Sequence, residues 1–156
     1  MLVREQPATD LAIATRILAR AGALAPDGRI TQRLGDVLYI GARGIGLATM
    51  TPYDVAVVLV ADGSTLHGDA PEDLAAYVDA HQRSARIGSV ARVAAGEYLT
   101  APSLRACVVA ALRRSRGEDP AHHDDATIER AWLDLVQQAR IAGALIGAFP
   151  EEEQPR

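Results

Sequence analysis

The sequence predicts an α/β protein in which helices cover the faces of a mixed, mainly antiparallel β-sheet. Segments 10–21 and 127–146 carry apolar residues at helical spacing near the two ends of the chain. Between them, short apolar or alternating segments are separated by glycine-containing turns, as is typical of β-strands. The 156 residues are expected to form a single domain over 9–149, followed by an acidic, disordered tail over 150–156.

The N-terminal part of the chain is predicted to form a helix followed by a β-hairpin. Thr9 is expected to cap the helix, and Gly22 is expected to end it. Segment 29–34 alternates polar and apolar residues. Gly35-Asp36 then turns the chain into the apolar segment 37–40, so we expect two antiparallel strands.

The middle of the chain is predicted to hold a loop, a short helical turn, a strand and a second helix. A glycine-rich loop spans 41–46, and Thr51-Pro52 has the form of a helix start. The β-branched run 55–61 is too short for a helix and predicts a buried strand, which a turn at Asp62-Gly63 closes. A proline-started helix is expected over about 71–83.

The C-terminal part contains a segment whose secondary structure the sequence leaves open. Residues 90–95 are predicted to form a strand, whereas the apolar residues of 102–112 fit a helix or a buried strand equally well. A polar connection over 113–125 leads to the last helix, which is expected to end near Gly147.

Composition excludes several classes of function. The net charge of −4 argues against nucleic acid as a partner, because phosphate binding requires a basic surface. All 16 basic residues are arginine, so no lysine side chain can form a Schiff base with a substrate. No apolar run is long enough to span a membrane, and the first residues lack a signal-peptide pattern. We therefore expect a cytoplasmic protein without a membrane partner.

The cysteine and histidine residues form no specific nucleophile or metal motif. Cys107, the single cysteine, lies in an apolar run and is predicted to be a buried hydrophobic residue. His122-His123 and the two aspartates after them fit a metal cluster or, as we favour, a helix start capped by Asp125. The role of His122-His123 stays open at this level. His67 is predicted to be a turn residue.

Three residues of the second predicted helix share one face. Asp73, Tyr77 and His81 follow one another at intervals of four residues, which brings their side chains to neighbouring positions on a helix. An acid, a phenol and an imidazole on one face suit general acid–base catalysis. The alternative is a surface stripe that makes only ordinary contacts between helix turns.

The order of these segments resembles the class II aldolase/adducin family over residues 11–149. The resemblance implies a three-layer α/β/α sandwich and a homo-oligomer such as a tetramer, with pockets at subunit interfaces. It also implies that this chain is some tens of residues shorter than a usual member. The matching motifs are Ile17-Leu18-Ala19-Arg20-Ala21-Gly22, Gly28-Arg29-Ile30-Thr31-Gln32-Arg33, Ile40-Gly41-Ala42-Arg43-Gly44, Thr51-Pro52-Tyr53-Asp54-Val55 and Thr127-Ile128-Glu129-Arg130-Ala131-Trp132.

The same resemblance implies that the metal site of the family is missing. In the family an acid on a helix acts as the general base, and it matches Asp73. The His-x-His pair that binds a divalent metal matches Arg92-Val93-Ala94, and the third ligand, a histidine before glycine at a strand end, best matches Arg116. Arginine does not ligate metals and adds positive charge where a metal would sit. We therefore expect no metal and no other cofactor.

The family's anion-binding residues are kept only in part. Gly28 and Thr31 match residues that bind phosphate in the family, whereas Arg29, Gly41 and Glu72 depart from the family pattern. In addition, Arg43 is a candidate anion contact in the glycine-rich loop. Glu97 and Tyr98 follow the former metal strand, where the substrate pocket of the family would lie.

These residues lead to a hypothesis of metal-independent catalysis. Arg92 and Arg116 would hold the oxyanion of an enolate, and Asp73 or Glu97 would move a proton. The function would then be that of a lyase- or isomerase-type enzyme acting on an anionic carbonyl or hydroxy compound in specialised biosynthesis. In the alternative, both arginines are solvated or structural, and the chain is a non-catalytic, adducin-like binding or scaffold domain. The sequence does not identify the substrate.

Overall fold

A computed structural model of the chain describes residues 3–120 and 124–149. Four α-helices and six β-strands follow one another along these residues, with a 3-10 turn after the second strand. In chain order they are α1 (Glu5–Arg20), β1 (Thr31–Leu34), β2 (Val37–Gly41), the 3-10 turn (Leu47–Thr49), β3 (Val55–Leu59), β4 (Thr65–His67), α2 (Leu74–Gln82), β5 (Ser89–Ala94), β6 (Glu97–Ala101), α3 (Leu104–Ser115) and α4 (Asp125–Ile141).

The strands form two antiparallel sheets that meet beside the loop before β1. The first sheet has the order β1-β2-β3-β4, and β5 pairs with β6 in the second. An antiparallel bridge joins Ile30 to Ala91, and the Arg92 amide donates to the Arg29 carbonyl at 3.0 Å. The predicted α/β class is confirmed, and every strand pairing among the described residues is antiparallel.

Side chains of the strands alternate between two apolar clusters, as the pleat of a strand requires. Tyr39 and Val57 pack in a cluster with residues of α1, α3 and α4. Their neighbours in sequence, Ile40 and Ala56, point to the other face and pack against Tyr77 of α2. The helix α2 therefore covers a different face of the strands from the one that α1, α3 and α4 cover.

The predicted hairpin is confirmed, whereas the start of α1 was predicted wrongly. Gly35 turns the chain between β1 and β2 with a φ of 59°. The helix α1 begins at Glu5, with Arg4 in the N-cap position, and Thr9 lies buried inside it. Its apolar face extends back to the buried Ala8, so tertiary packing outweighs the capping preference of Thr9. The predicted stop is confirmed, since Gly22 has a φ of 68°.

The structure settles the segment 102–112, most of which is helical. Ser103 caps α3, and its Oγ accepts a hydrogen bond from the Ala106 amide at 3.2 Å. The buried residues Leu104, Cys107, Val108 and Ala111 follow helical spacing. Two strands were not predicted, β4 and β6; the exposed His67, expected in a turn, ends β4.

Two caps that the sequence predicts can be compared with the structure. At 51–54, the Thr51 hydroxyl accepts from the Tyr53 amide at 3.3 Å, as predicted, and Asp54 in turn accepts from the Thr51 amide at 2.9 Å. The N-cap of α4 is Asp124, not Asp125, and it accepts from the Thr127 amide at 2.8 Å. That helix ends at Ile141, earlier than expected.

His122, His123 and the tail 150–156 lie outside the described residues, so the predictions made for them stay predictions. Within the described residues, none of the helices combines the length and the apolar character that crossing a membrane requires.

Candidate functional site

A pocket of about 280 Å³ lies where three connecting segments meet. These segments are the loop after α1, the glycine-rich loop after β2 and the turn before α2. We name it the Arg29 pocket, after its most buried charged residue. Its lining residues are Asp27, Arg29, Arg43, Gly44, Pro71, Glu72 and Asp73. Of these, Arg43 and Asp73 were predicted as site residues from the sequence.

Arg29 is only 4% exposed and is fixed by backbone carbonyl groups. Its Nε donates to Gly41 O at 3.3 Å, Nη1 to Asp27 O at 2.7 Å and Nη2 to Ala42 O at 3.1 Å. No carboxylate within the described residues pairs with this guanidinium. Because an arginine has five N–H groups, one on each terminal nitrogen remains for a ligand. A buried cation with spare donors in the wall of a pocket suits an anion.

The loop before β1 places Arg29 through a close approach of two backbone segments. The Ala25 amide donates to Arg92 O at 3.0 Å, and the Gly28 amide donates to Ala25 O at 2.7 Å. A Cβ atom on Gly28 would lie 2.6 Å from Arg92 O, so this position excludes any side chain. Asp27 adopts a φ of 57°, in the left-handed region that aspartate tolerates better than most residues. Gly28 therefore acts through backbone packing.

Asp73 and Arg92 form an ion pair beside the pocket. Arg92 Nη1 lies 3.1 Å from Asp73 Oδ2, and both side chains are about three-quarters buried, with exposed fractions of 25% and 28%. The buried Arg92 Nε has no hydrogen-bond partner among the described residues. The structure thus brings together two of the residues that the sequence singled out for catalysis.

Arg43 lies at the rim of the pocket and contacts two acids. Its Nη1 is 3.5 Å from Glu72 Oε1, and its Nε is 3.9 Å from Asp69 Oδ2. The Nε also donates to Ala70 O at 3.2 Å. These contacts tie the glycine-rich loop to the turn before α2, and they leave Arg43 half exposed.

Tyr77 and His81 point away from solvent, so the surface-stripe alternative is wrong. Both are fully buried. The Tyr77 hydroxyl accepts from the Arg29 amide at 2.8 Å, and burial raises its pKa above the usual value. Tyr77 therefore stays protonated and supports the loop that carries Arg29. Its ring meets Tyr98 edge to face, with centroids 5.5 Å apart.

His81 belongs to a buried hydrogen-bond chain that includes Thr31. His81 Nδ1 donates to Ile87 O at 3.2 Å, and its Nε2 accepts from the Thr31 hydroxyl at 2.6 Å. The Thr31 oxygen accepts in turn from the Val90 amide at 3.0 Å. Burial, together with the nearby positive charge of Arg33, lowers the pKa of His81 to about 4. Thr31 and His81 therefore link β1, α2 and β5 and do not face the pocket.

We expect the buried His81 to make the free energy of unfolding depend on pH. The unfolded pKa of histidine is about 6.5, and the folded pKa of His81 is lower, so the unfolded state binds more protons between these values. The stabilising effect is complete above pH 6.5 and is lost as pH falls towards 4. The free energy of unfolding should fall by at most about 1.4 kcal/mol per pH unit from this residue.

Denaturant unfolding of the wild type and of His81→Gln between pH 7 and 5 measures this effect. The difference in stability between the two proteins should shrink as pH falls, because only the wild type has this buried imidazole to protonate. A difference that is the same at both pH values would contradict the assignment.

Glu97 and Arg116 lie outside the Arg29 pocket. Glu97 begins β6, is exposed and pairs with Arg114, whose hydrogen bonds hold the pKa of Glu97 below its usual value. Arg116, expected at the end of a strand, lies instead at the C-cap of α3. It lines a different depression, between α3 and α4, together with Asp134. The convergence of Arg92, Arg116 and Asp73 that the sequence suggested is therefore present only for the pair Arg92–Asp73.

The residues present do not fit the divalent metal of the resembling family. Arg92 and Ala94 occupy the positions that match the His-x-His pair, and neither side chain is a metal ligand. Among residues 3–120 and 124–149, no three histidine, cysteine, aspartate or glutamate side chains are grouped so as to hold a metal ion. Cys107 is buried in α3, and burial raises the pKa of its thiol to about 12.

Comparison with known proteins identifies the fold. No family model and no curated protein matches this chain. Among the solved structures that match, L-fuculose 1-phosphate aldolase from Glaciozyma antarctica PI12 has a TM-score of 0.63 and 11% identity, and the alignment covers 90% of this chain and 91% of that chain. At this identity the likeness shows the fold alone. The class II aldolase fold expected from the sequence is thereby confirmed.

A second match covers less of both chains. YgbL from Escherichia coli, for which an aldolase, epimerase or decarboxylase activity has been suggested, has a TM-score of 0.49 and 22% identity. The alignment covers 57% of this chain, and this chain spans only 44% of YgbL.

Arg29 is the main site residue that the sequence analysis missed. The sequence analysis noted Arg29 only as a departure from the resembling family, which has a small polar residue at this position of the first glycine turn. Carbonyl groups from the loop after β2 bury it, and their approach cannot be read from neighbouring residues.

Proposed function

We propose that this chain is a small-molecule enzyme of lyase or isomerase type that binds an anionic carbonyl or hydroxy compound in the Arg29 pocket. The observation that carries the proposal is the buried guanidinium of Arg29, which has spare donors and whose partners among the described residues are backbone carbonyl groups. The confirmed fold supports it, because the matching solved structure with the TM-score of 0.63 is that of an aldolase.

In the proposed mechanism, Arg29 anchors the anionic group and the Arg92–Asp73 pair carries the chemistry. Arg92 contacts Oδ2 of Asp73, so Oδ1 is the oxygen that accepts a proton from the carbon next to the substrate carbonyl. The C–H electron pair moves into an enolate, and Arg92 donates a hydrogen bond to its developing oxyanion. Returning the proton from Asp73 to a carbon completes an isomerisation. In the lyase reaction Asp73 instead accepts the proton of a hydroxyl group β to the carbonyl, whose electron pair forms a new carbonyl as the Cα–Cβ bond breaks. The pair from that bond forms the enolate that Arg92 holds, and Asp73 returns the proton to the enolate carbon.

The proposal includes metal independence, a homo-oligomer and a three-layer arrangement. Metal independence is supported by the guanidinium group of Arg92, which stands where the resembling family has a metal ligand. Exposed apolar side chains on and after α4, Leu133, Ile141 and Ile146, support a homo-oligomer. The two clusters on opposite sides of the strands support three layers. Such an activity suits specialised biosynthesis in the cytoplasm.

The second candidate function is a non-catalytic binding or scaffold domain. It is favoured by the pairing of Asp73 with Arg92 and of Glu72 with Arg43, since acids that are already paired are poorer bases. Under this alternative the Arg29 pocket binds its ligand without turnover.

Binding and proton exchange together test the proposal. Isothermal titration with glycolate and pyruvate should show binding to the wild type, and Arg29→Met should weaken it at least about tenfold, the loss expected for a charged hydrogen bond. Arg86→Met removes an exposed arginine outside the pocket and should leave the affinity unchanged. Equal affinities for Arg29→Met and Arg86→Met would reject the pocket as the binding site.

Proton exchange separates the enzyme from the scaffold. In D₂O, the wild type should catalyse exchange of the methyl protons of pyruvate, observed by NMR, at the same rate with and without EDTA. Asp73→Asn should abolish the exchange while pyruvate still binds. Binding without exchange would support the scaffold function, and exchange that EDTA stops would reject metal independence.

A further inference from the structure

We infer that the Arg29 pocket selects singly charged carboxylates over doubly charged phosphates, and that Glu72 sets this selectivity. The inference rests on the proposed function, and it narrows the ligand class. It concerns a residue that the proposed chemistry does not use. Three features of the pocket lead to it: the balance of charges, the number of free donors and the position of Glu72.

Within the described part of the chain, one arginine of the pocket has no paired acid, although the acids in and around the pocket outnumber the arginines by one, four to three. Arg43 is paired with Asp69 and Glu72, and Arg92 is paired with Asp73. Asp27 adds a further acid to the lining. Arg29 is therefore the cation of the lining without a carboxylate partner among the described residues. A ligand with one negative charge balances it, whereas a dianion brings a charge that no free cation of the pocket offsets.

The free donors of Arg29 match a carboxylate better than a phosphate. Carbonyl partners occupy Nε and one N–H of each terminal nitrogen. One N–H remains on each of Nη1 and Nη2, and these two donors suffice for the two oxygens of a carboxylate. A phosphate has three terminal oxygens and a charge of about −1.5 to −2 at pH 7. It therefore needs donors where the Arg29 pocket presents the acids Asp27 and Glu72.

Glu72 provides the discrimination because its charge repels a dianion more strongly than a monoanion. Its side chain is 86% exposed, so water screens the repulsion, and its contact with Arg43 at 3.5 Å fixes it at the pocket rim. Replacing the carboxylate by an amide removes the repulsion and ends the ion pair of Glu72 with Arg43, which keeps its contact with Asp69. Because an exposed ion pair is worth up to about 1 kcal/mol, the gain for a dianion should be roughly two- to fivefold in affinity.

The test compares glycolate with methyl phosphate, both titrated into the wild type and into Glu72→Gln at pH 8 and low salt. The wild type should bind glycolate more tightly than methyl phosphate. Glu72→Gln should improve methyl phosphate binding by roughly two- to fivefold and change glycolate binding less. Asp79→Asn is the matched control, since it removes an equal charge from an exposed ion pair outside the pocket. It should leave the ratio of the two affinities as in the wild type.

Each result decides between the inference and the proposed function. Methyl phosphate bound by the wild type as tightly as glycolate would overturn the selectivity and leave the proposed function standing. A ratio that changes equally in Glu72→Gln and Asp79→Asn would overturn the role of Glu72. If neither glycolate nor methyl phosphate bound to the wild type, the inference would fail together with the anion-binding pocket on which it rests.

Discussion

Replacing Arg16 by methionine is expected to lower the free energy of unfolding by about 3 kcal/mol, the largest effect that we expect from a single side chain here. Arg16 is 4% exposed although it is charged. Its Nε donates to Met50 O at 2.6 Å, Nη1 to Ala144 O at 3.3 Å and to Ile146 O, and Nη2 to Thr49 O at 3.0 Å. Methionine fills a similar volume but leaves these carbonyl groups without donors, two of them buried.

Arg20 provides the matched control for this prediction. It lies one helical turn further along α1, and within the described part of the chain it donates one exposed hydrogen bond, from Nε to Ala48 O at 3.3 Å. Arg20→Met should cost less than about 0.5 kcal/mol. Denaturant unfolding at pH 7 measures both variants. Similar losses for the two would show that Arg16 contributes no more than a surface arginine, against the prediction.

Replacing Gly28 by alanine is expected to have the second largest effect, a loss of about 2 to 3 kcal/mol. The added Cβ would lie 2.6 Å from Arg92 O and 2.9 Å from Ala25 O. Both contacts are with backbone atoms, so relief requires the loop 25–29 to move away from β5. That movement also displaces Arg29. We therefore expect Gly28→Ala to weaken glycolate binding as well as stability.

Gly96→Asn is the control for the Gly28 prediction. Gly96 lies in the turn between β5 and β6 with a φ of 73°, and no atom lies within 4 Å of the Cβ position. Asparagine tolerates this backbone conformation, so the cost should stay below about 1 kcal/mol. Stability and glycolate affinity should both remain close to those of the wild type. A Gly28→Ala variant as stable as Gly96→Asn would contradict the close packing of the loop.

The elements that were predicted correctly depend on residues close in sequence. The hairpin around Gly35-Asp36 combines a turn residue with alternating apolar positions, and both signals are local. The segment 102–112 could not be assigned, because an apolar run fits a buried strand or a helix until its neighbours in space are known. In the structure Ser103 caps it and its apolar residues pack in a cluster with α1 and α4.

The candidate site also has features that the sequence predicts and features that only the structure shows. The common face of Asp73, Tyr77 and His81 followed from helical spacing alone. Helical spacing did not show whether this face lies at the surface or in the interior. The structure places Tyr77 and His81 in the interior. Arg116 was matched to a strand end by one dipeptide, Arg116-Gly117, and a glycine ends a helix as readily as it follows a strand.

The sequence by itself determined the α/β class, because the class depends on residue type and on spacing along the chain. Only the tertiary structure decided which arginines are buried and held by backbone carbonyl groups. A guanidinium is buried where carbonyl groups from distant segments surround it, as residues 49–50, 144 and 146 surround Arg16 and residues 41–42 surround Arg29. Such convergence leaves no local pattern, because the desolvation of a charge is compensated by groups that only the fold brings together.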